Sequence, residues 1–407
     1  QYNFVPVFWL GSEDHDKDEL CHTFVDETKI DWQTEQTGTV GRFALDGLRE
    51  KIEELKSLTH VDTSTSSVPE LLNVLENALS QNIKFAELTQ YLATELFKDF
   101  GLVVLNPDNA DLKRLYAPII EDEILSGRAR IKLFQNLQWL EENYSVQAQP
   151  RDINFFYLTD NSRERIVRTD EGFTTANNAH SFTEEELKNE LREHPERFSP
   201  NVFFRPLYQE FILPNLAFIG GGGELSYWLE LKPLFDYHNI PFPMLIHRSM
   251  GAILKQNNYE KAEKLKLNIR DFFAEKQVLI KQWITENTQH DISIEEEKKK
   301  LDELYETLLQ KAIAIDKTLE NSVKAEQQKA INTLENLQVK ITKAEKRTQE
   351  TSLNQIESIY KKLFPNGTLQ ERSENVLALA FRLSKEELNE LILAQNPFDK
   401  TFRFFSY

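Results

Sequence analysis

The chain has 407 residues and a formal net charge of −18, from 48 Lys and Arg against 66 Asp and Glu. This excess of acid argues against non-specific nucleic-acid binding, because no broadly basic surface is available to displace phosphate counterions. No apolar run approaches the roughly 20 residues that span a bilayer. Cys21 is the only cysteine. We therefore expect no intrachain disulfide, no membrane span and a cytoplasmic protein.

Short apolar runs alternate with helical patterns along residues 1–256, which we predict to form one domain. The runs are 5–10, 102–105, 153–158, 216–219 and 242–246. Continuous apolar runs of this length are typical of buried parallel strands. Their alternation with helices predicts an α/β fold, a Rossmann-like parallel sheet with inserted helical segments at 68–100 and 109–144. Between Lys29 and Leu45 the pattern predicts a hairpin, with Gly38 and Gly41 as its turn residues.

The next part of the chain, 257–363, is predicted to be a long α-helical coiled-coil domain, followed by a C-terminal segment, 364–407, that returns to the core. Residues 259–288 are predicted to form one helix, and a second helix runs from Ser293 to about Leu363. It would be a rod of roughly 100 Å at about 1.5 Å per residue.

The apolar positions of the long helix, from Leu301 to Ile341, follow steps of 3, 4 and 4, with Glu326 in one gap. That period predicts a nearly straight coiled coil. So narrow a stripe cannot stabilise an isolated helix. The preceding helix can cover less than half of it as an antiparallel partner, so we expect a second subunit, and hence a homodimer.

Polar side chains follow the predicted strands where the strands end. The first is followed by Glu13, Asp14, His15 and Asp16, the second by Asn106 and Asp108, the fourth by Gly220, Gly221, Gly222, Gly223 and Glu224, and the fifth by His247 and Arg248. Ligands of doubly wound sheets bind beyond the carboxyl ends of the strands. The sequence therefore predicts that these clusters line one edge of the sheet.

The acidic cluster 13–16 has two interpretations. It is either the edge of an active site or an acidic helix start, because carboxylates favour the positive end of a helix dipole. A metal site is not predicted, because no ExxH or HxH spacing supports one.

The glycine run and the segment RPLYQEFILPN (205–215) are candidates for binding. Glycines between a strand and a helix let backbone N–H groups approach an anion, although the run is neither GxGxxG nor a Walker A sequence. Arg205 and Gln209 share a helical face, and Arg suits bidentate carboxylate binding, with a structural salt bridge as the alternative. For Tyr227, helix–sheet packing is the alternative to ligand contact.

PVFWLGSEDHDKDE, RPLYQEFILPNLAFIGGGGELSYWLELK, PFPMLIHRS, the long coiled coil and LFPNGTLQER occur in this order. Together they resemble the cysteine-adding enzyme family of bacillithiol biosynthesis across essentially the whole chain. One departure is Gly222, where the family often has Pro. Family members carry a further segment before the first strand, so an N-terminally truncated chain is expected.

The resemblance implies a Rossmann-like core related to class I aminoacyl-tRNA synthetases and a coiled coil that dimerises. It also implies a carbon–nitrogen ligase that joins the carboxyl group of L-cysteine to the amine of glucosaminyl malate. ATP is the expected activator of the carboxylate, as an adenylate or acyl phosphate, with any Mg²⁺ accompanying the nucleotide.

We assign the site residues on this sequence alone. The catalytic candidates are Asp14, His15 and Asp16. The candidates for binding substrate or nucleotide are Glu13, Arg205, Gln209, Asn215, Gly220, Gly221, Gly222, Gly223, Glu224, Tyr227, His247 and Arg248. Two alternative functions are a non-catalytic coiled-coil interaction protein and a nucleotidyl transferase or hydrolase on the same fold, since fold alone does not fix function.

Overall fold

The structure is a computed structural model. It describes residues 3–25, 28–57, 68–81, 83–287, 293–375, 383–396 and 398–407. The chain forms two compact units. The first contains residues 1–250 and 374–402, and the second contains residues 251–373 and 403–407. Residues 251–373 of the second unit therefore lie between the two segments of the first unit in the sequence, and residues 403–407 follow the later segment.

The described strands, in chain order, are β1 Val7–Trp9, β2 His22–Val25, β3 Thr28–Asp31, β4 Val103–Leu105, β5 Phe155–Leu158, β6 Arg163–Thr169, β7 Gly172–Thr175, β8 Ser181–Phe182, β9 Phe198–Pro200, β10 Ala217–Gly220, β11 Met244–His247, β12 Met250–Leu254 and β13 Phe402–Ser406.

The described α-helices are α1 Lys17–Leu20, α2 Leu48–Ser57, α3 Val68–Leu79, α4 Phe85–Phe97, α5 Ala110–Ser126, α6 Arg128–Asn143, α7 Glu184–Glu193, α8 Phe204–Ile212, α9 Gly222–Trp228, α10 Lys232–Tyr237, α11 Gln256–Lys264, α12 Lys276–Asn287, α13 Glu295–Ile315, α14 Glu320–Thr348, α15 Glu350–Leu363, α16 Gln370–Ser373 and α17 Lys385–Leu393.

Four of the five apolar runs form the parallel strands that the sequence predicts. β1 pairs in parallel with β4, and β10 pairs in parallel with β11. Within the described ranges these are separate two-stranded pairs, and no ladder joins them into one sheet. In each pair both strands have their carboxyl ends at the same end, so the polar residues that follow them are brought together two by two.

The remaining run, 153–158, was assigned wrongly to the parallel sheet. β5 lies inside a five-stranded antiparallel sheet with the order β8-β7-β6-β5-β9. Phe155, Tyr157 and Leu158 are all almost fully buried. Burial on both faces of a central strand gives the same continuous apolar run as a parallel strand does, so composition alone could not separate the two arrangements.

The hairpin predicted between Lys29 and Leu45 is also wrong. The antiparallel pair is β2 with β3, earlier in the chain. Gly38 and Gly41 instead let two segments of backbone come close together. A Cβ on Gly38 would lie 2.9 Å from the backbone carbon of Asn161, and a Cβ on Gly41 would lie 2.2 Å from the carbonyl oxygen of Ser12.

The core of the first unit lies between the antiparallel sheet and helices α5, α6, α7 and α8. The largest fully buried side chains include Tyr116 of α5, Phe155 of β5, and Phe204 and Tyr208 of α8. Trp228 of α9 joins the same core and stacks on Phe218 of β10, with ring centroids 4.3 Å apart. α8 is therefore buried between the sheet and the β10–α9 connection.

The single helix predicted over 259–288 is wrong, because the chain breaks between α11 and α12. Lys266 adopts a positive φ of 58° directly after α11. Asn268 then caps a short 3₁₀ turn, Ile269–Phe273, by accepting a hydrogen bond from the backbone N–H of Arg270. Neither Gly nor Pro marks this break, so no local signal in the sequence predicts it.

The long helix after Ser293 is not a continuous rod either. Asp316 leaves helical geometry and accepts a hydrogen bond from the backbone N–H of Thr318 at 2.8 Å. The chain reverses there, and α13 and α14 form an antiparallel helical hairpin. Lys298 pairs with Glu335 across it.

The seam of this hairpin uses Gln327 rather than Glu326. Gln327 donates to Asp302 of α13 at 2.8 Å, whereas Glu326 is exposed and pairs with Lys329. α14 measures about 44 Å, less than half of the rod predicted from sequence. α13 covers part of the apolar stripe of α14, whereas Leu337 and Ile341 are exposed, so pairing within the chain accounts for only part of the stripe.

Candidate functional site

The acidic cluster 13–16 lies at the joined ends of β1 and β4. Ser12 donates from its hydroxyl to Asn106 Oδ1 at 2.6 Å, which ties the two strand ends together. The backbone N–H of Val40 donates to the carbonyl oxygen of Asp14. The missing side chain of Gly41 lets the 3₁₀ turn Val40–Arg42 approach this loop.

A buried ion network lies beneath the cluster. Lys113 of α5 is 1% exposed and pairs with Glu13. Its Nζ lies 3.7 Å from Asp108. Arg42 holds Asp108 with two hydrogen bonds, of 2.7 and 2.8 Å. Two carboxylates thus face two cations, an arrangement in which removal of one partner leaves an uncompensated buried charge.

The two carboxylates respond oppositely to this environment. Burial raises the pKa of Glu13, and the opposing attraction of Lys113 is smaller. Burial also acts to raise the pKa of Asp108, but the hydrogen bond from Arg42 and the charges of Lys113 and Arg42 outweigh it, so the pKa of Asp108 is lowered. Asp108 therefore supplies the fixed negative charge of the network.

Asp14 and His15 stand at the surface of this network. Their side chains are 49% and 52% exposed. Arg163 of β6 reaches His15 Nδ1 with Nη1 at 3.1 Å. A guanidinium can only donate, so Nδ1 accepts, and the neutral imidazole carries its proton on Nε2. His15 is thereby presented as a hydrogen-bond donor, while Asp14 remains an accessible acceptor.

Arg163 is itself held on every side. Its Nε donates to Ser199 Oγ at 3.2 Å and its Nη2 to the carbonyl oxygen of Pro200 at 3.1 Å. Its guanidinium carbon lies 3.9 Å from the ring centroid of Phe156. Burial lowers the pKa of Arg163, and the charges of Glu13 and Asp14 oppose that effect. This rigid mounting fixes the orientation of His15.

Asp16 has a local structural task. Its carboxylate caps α1 by accepting from the backbone N–H of Glu19 at 3.1 Å, and its own N–H donates to Asp14 Oδ1. Both interpretations of the acidic cluster thus apply to different members of it: Asp16 caps the helix, whereas Asp14 and His15 face solvent.

A second cluster forms on α8 and α9. Arg205 donates to the hydroxyl of Tyr227 at 2.8 Å and reaches Glu224 and Gln209 at 3.3 Å each. Tyr227 donates to Glu224. The spacing of Arg205 and Gln209 on one helical face is confirmed. Arg205 has local partners, so the structural salt bridge considered from sequence is present.

Glu210 completes this cluster from below. Asn215 and Gln209 both donate to its Oε1, at 2.8 and 3.0 Å. Burial raises the pKa of Glu210, and these hydrogen bonds oppose the shift. Asn215 and Gln209 are therefore turned toward a buried carboxyl group.

The glycine run spans the end of β10 and the start of α9. Gly220 is the last strand residue, where an added Cβ would lie 2.6 Å from the ring of Phe218. Gly221 caps α9, and Gly222 and Gly223 form its first turn. None of these glycines has a positive φ. Open space surrounds Gly223, where an added Cβ would meet nothing within 4 Å.

His247 and Arg248 lie beside this turn. The backbone N–H of Arg248 donates to the carbonyl oxygen of Gly220 at 2.9 Å. His247 Nδ1 lies 2.8 Å from the carbonyl oxygen of Arg248 and must donate to it. Nε2 of the neutral ring then carries a lone pair. It lies 3.5 Å from the point where a Cβ on Gly222 would stand.

α8 links the two clusters. Its Tyr208 donates from the hydroxyl to the carbonyl oxygen of Pro107, next to Asp108, at 3.0 Å. Its Arg205 points to α9. The structure therefore brings Glu13, Asp14 and His15 together at one strand pair, and the glycine run, His247 and Arg248 together at the other, with α8 between them.

Four residues of these clusters were not predicted from the sequence: Arg42, Lys113, Arg163 and Glu210. One signal was available for Lys113. The buried positions of α5 include Lys113, Tyr116, Ile120, Glu123 and Ile124, which follow a helical stripe. Charged residues within an apolar stripe mark buried ion pairs or functional groups. Arg163 carried no such signal, because its partners come from distant parts of the chain.

Among the residues that the structure describes, no group of three or more His, Cys, Asp or Glu side chains is placed to hold a metal ion. No described helix is long and apolar enough to cross a membrane.

Comparison with known proteins gives two family matches and a set of relatives. Residues 1–249 match the family "Bacillithiol biosynthesis BshC, N-terminal Rossmann-like domain". Residues 252–406 match "Bacillithiol biosynthesis BshC, C-terminal coiled-coil domain". These two matches confirm the predicted fold class of a Rossmann-like domain followed by a coiled coil.

Relatives named "Putative cysteine ligase BshC" occur in distant bacteria. The protein of Flavobacterium psychrophilum is 36% identical, over 99% of this chain and 75% of its own length. That of Flavobacterium johnsoniae is 37% identical, over 98% and 75%. That of Bacillus mycoides is 28% identical, over 91% and 71%. With both of its domains matched, this chain belongs to the BshC family of bacillithiol biosynthesis.

Proposed function

We propose that this protein is a ligase that joins the carboxyl group of L-cysteine to the amine of glucosaminyl malate, forming the amide of bacillithiol. The name of its relatives, "Putative cysteine ligase BshC", supports this reaction class. The observation that carries the proposal is the pair Asp14 and His15, which is half-exposed above a buried ion network at the end of β1.

A carboxylate does not condense with an amine unaided, and ATP would supply the activation. The residues around α9 fit an anionic group in part. The N–H groups of its first turn have no helical acceptor, and the space beside Gly223 is open. Glu224 in the same turn is paired with Arg205, so its charge is partly offset. Gly221, Gly222 and Arg248 would face the same anion.

Asp14 and His15 have different roles in the proposed reaction. The attacking amine must lose a proton, and Asp14 is the accessible acceptor at the cluster. His15 donates from Nε2 to the oxygen on which negative charge develops, since its Nδ1 is occupied by Arg163. General acid–base contributions of this kind are typically about 10²–10⁴-fold. Lys113 and Glu13 hold the loop in place from below.

The proposal is tested by reconstitution with cysteine, glucosaminyl malate and ATP, following thiol product by mass spectrometry and nucleotide products by chromatography. AMP with pyrophosphate would indicate an adenylate, and ADP with phosphate an acyl phosphate. Absence of thiol product from a full-length, folded protein under all nucleotide conditions would refute the ligase. AMP on an acceptor other than cysteine would instead favour a nucleotidyl transferase.

Two substitutions test the residues. Asp14→Asn and His15→Ala should each lower turnover at least tenfold, about 1.4 kcal/mol of barrier or more, with thermal unfolding unchanged. Asp18→Asn is a matched control, because Asp18 lies in the same acidic stretch but outside the proposed site. Unchanged turnover in both site variants would assign the cluster a structural role.

A further inference from the structure

A cavity of about 390 Å³ opens on the antiparallel sheet of the first unit, and three arginines line it: Arg151, Arg163 and Arg165. Asn154 and Asn201 also line it. No Asp or Glu is among the lining residues that the structure describes. In a chain with 66 acidic residues and a net charge of −18, a concave surface with this composition is a departure that needs a cause.

The register of the sheet places Arg163 and Arg165 there, and Arg151 lies in the segment before β5. Phe156 of β5 pairs with Arg165 of β6 and with Ser199 of β9. Directly opposed residues share a face of a sheet, and neighbours along a strand alternate faces. Phe155 and Tyr157 are buried in the core on the opposite face. The face with Phe156 therefore carries the arginine side chains, away from the core.

Two of these guanidinium groups have no partner among the residues that the structure describes. Elsewhere in the unit, arginines are held by carboxylates, as in the pairs of Arg42 with Asp108 and Arg197 with Glu190. In the part of the chain described here, no hydrogen bond or ion pair engages the guanidinium of Arg151 or Arg165. Arginine forks bind carboxylates and phosphates through paired hydrogen bonds, so two unpaired forks in one cavity are suited to an oxyanion.

Three acidic groups near the cavity have protein partners, and two more, Glu13 and Asp14, act on Arg163. Asp152 pairs with Arg130 at 2.8 Å. Glu123 lies behind Asn154, which donates to it at 2.6 Å. Burial raises the pKa of Glu123 to about 7, so it retains a substantial protonated fraction near neutral pH. Glu141 accepts from Gln149 at the exposed rim.

We propose that this arginine pocket binds the oxyanion groups of a small molecule, carboxylates or phosphates, and orients it toward His15. Arg163 belongs to both structures: it lines the pocket and donates to His15 Nδ1. The inference rests on the proposed function only for the identity of the molecule. A dicarboxylate would be the malate arm of the acceptor, and a phosphate chain would be that of the nucleotide.

The test measures binding without turnover, by isothermal titration calorimetry at constant ionic strength. The probes are L-malate and inorganic pyrophosphate, each titrated into wild-type protein, Arg165→Gln, Arg151→Gln and Arg114→Gln. Arg114 is a matched control, because it is exposed, loses the same charge and pairs with Asp111 on α5, outside the pocket. Thermal unfolding of each variant checks that it is folded.

We expect at least one probe to bind the wild type and Arg114→Gln equally. It should bind Arg165→Gln about tenfold more weakly or worse, with Arg151→Gln reduced in the same direction. Binding of malate alone would identify the acceptor, and binding of pyrophosphate alone the nucleotide. The inference is overturned if neither probe binds the wild type at millimolar concentration, or if Arg114→Gln is weakened as much as Arg165→Gln.

The binding test and the ligase test can fail independently of each other. Wild-type protein that binds a probe through Arg165 but forms no thiol product would keep the pocket and refute the ligase. Protein that ligates cysteine but binds neither probe would support the ligase and overturn the arginine pocket.

Discussion

The bond from Arg163 to His15 decides which chemistry the imidazole can perform. A His whose Nδ1 accepts from a cation offers a donor at Nε2. His247, whose Nδ1 donates to a carbonyl oxygen, offers an acceptor. The two histidines that follow predicted strands thus have opposite polarity in the structure, which their positions in the sequence did not reveal.

The donor role of His15 gives a prediction that separates it from a general base. The amide N–H of a glutamine stands close to the position of Nε2–H in histidine. We expect His15→Gln to retain at least ten times the turnover of His15→Ala, and His15→Asn, with its shorter side chain, to behave like His15→Ala. Steady-state kinetics would show this, and equally inactive Gln and Asn variants would indicate a proton acceptor instead.

Glu123 predicts a dependence of stability on pH. Burial raises its pKa from 4.5 to about 7, so the folded protein binds this proton more tightly than the unfolded chain does. The associated stability is complete below about pH 4.5 and is lost as the pH rises through 7. Between pH 5 and pH 8 the loss should be roughly 2–3 kcal/mol.

Denaturant unfolding of wild type and Glu123→Gln at both pH values measures this loss. Glu123→Gln has no titrating group at this position. Between pH 5 and pH 8 its free energy of unfolding should therefore fall by roughly 2–3 kcal/mol less than that of the wild type. Glu142→Gln, an exposed position on α6, should follow the wild type. Parallel pH profiles for wild type and Glu123→Gln would contradict the prediction.

Among the elements, the 3₁₀ turn Val40–Arg42 controls the geometry of the acidic loop. A Cβ on Gly41 would lie 2.2 Å from the carbonyl oxygen of Ser12, a backbone atom that cannot rotate away. We expect Gly41→Ala to lower the free energy of unfolding by about 1–3 kcal/mol and to reduce turnover by displacing Asp14.

Gly11→Ala is the matched control. It lies in the same loop, has no positive φ, and an added Cβ would meet nothing within 4 Å. It should be neutral or stabilising by less than about 1 kcal/mol. Equal stability of the two variants in denaturant unfolding would show that the close approach of Gly41 to Ser12 is not needed.

What the sequence could predict at this scale follows from local signals. The apolar runs that became β1, β4, β10 and β11 were found because each is short, continuous and bounded by polar residues. The pairing of β5 was missed because burial on both faces hides the alternation. The turn at Asp316 was missed because a single Asp side chain makes it, without Gly or Pro.

The candidate site shows the same contrast between residues with a local signal in the sequence and residues without one. The residues that follow strands could be found, because strand ends are visible in the sequence. Lys113 and Arg163 act on the cluster across 100 and 148 residues. No periodicity or motif reports contacts at such separations.

For the whole molecule, the helical hairpin changes the argument for a dimer. Part of the apolar stripe packs within the chain, but Leu304 and Leu308, one turn apart on α13, are 54% and 42% exposed. Burying such side chains contributes roughly 1.5–3 kcal/mol each. We expect a homodimer through this exposed row, since an apolar patch on a helix can meet its own copy about a two-fold axis.

Sedimentation velocity at micromolar concentration checks this expectation. Leu304→Glu with Leu308→Glu should convert dimer to folded monomer, whereas Thr307→Glu with Gln310→Glu, which adds the same charge at exposed polar positions of α13, should remain dimeric. Wild-type protein that sediments as a monomer would contradict the prediction.

The division of each unit between two segments of the chain has a consequence for biosynthesis. The first unit includes residues 374–402, and Glu374 forms a β-bridge with Phe24. A ribosome therefore releases residues 1–250 and then residues 251–373 before residues 374–402 can join the first unit. Domains generally fold as units during synthesis. Here each unit includes residues from the end of the chain, 374–402 for the first and 403–407 for the second, so neither unit is complete until translation is nearly finished.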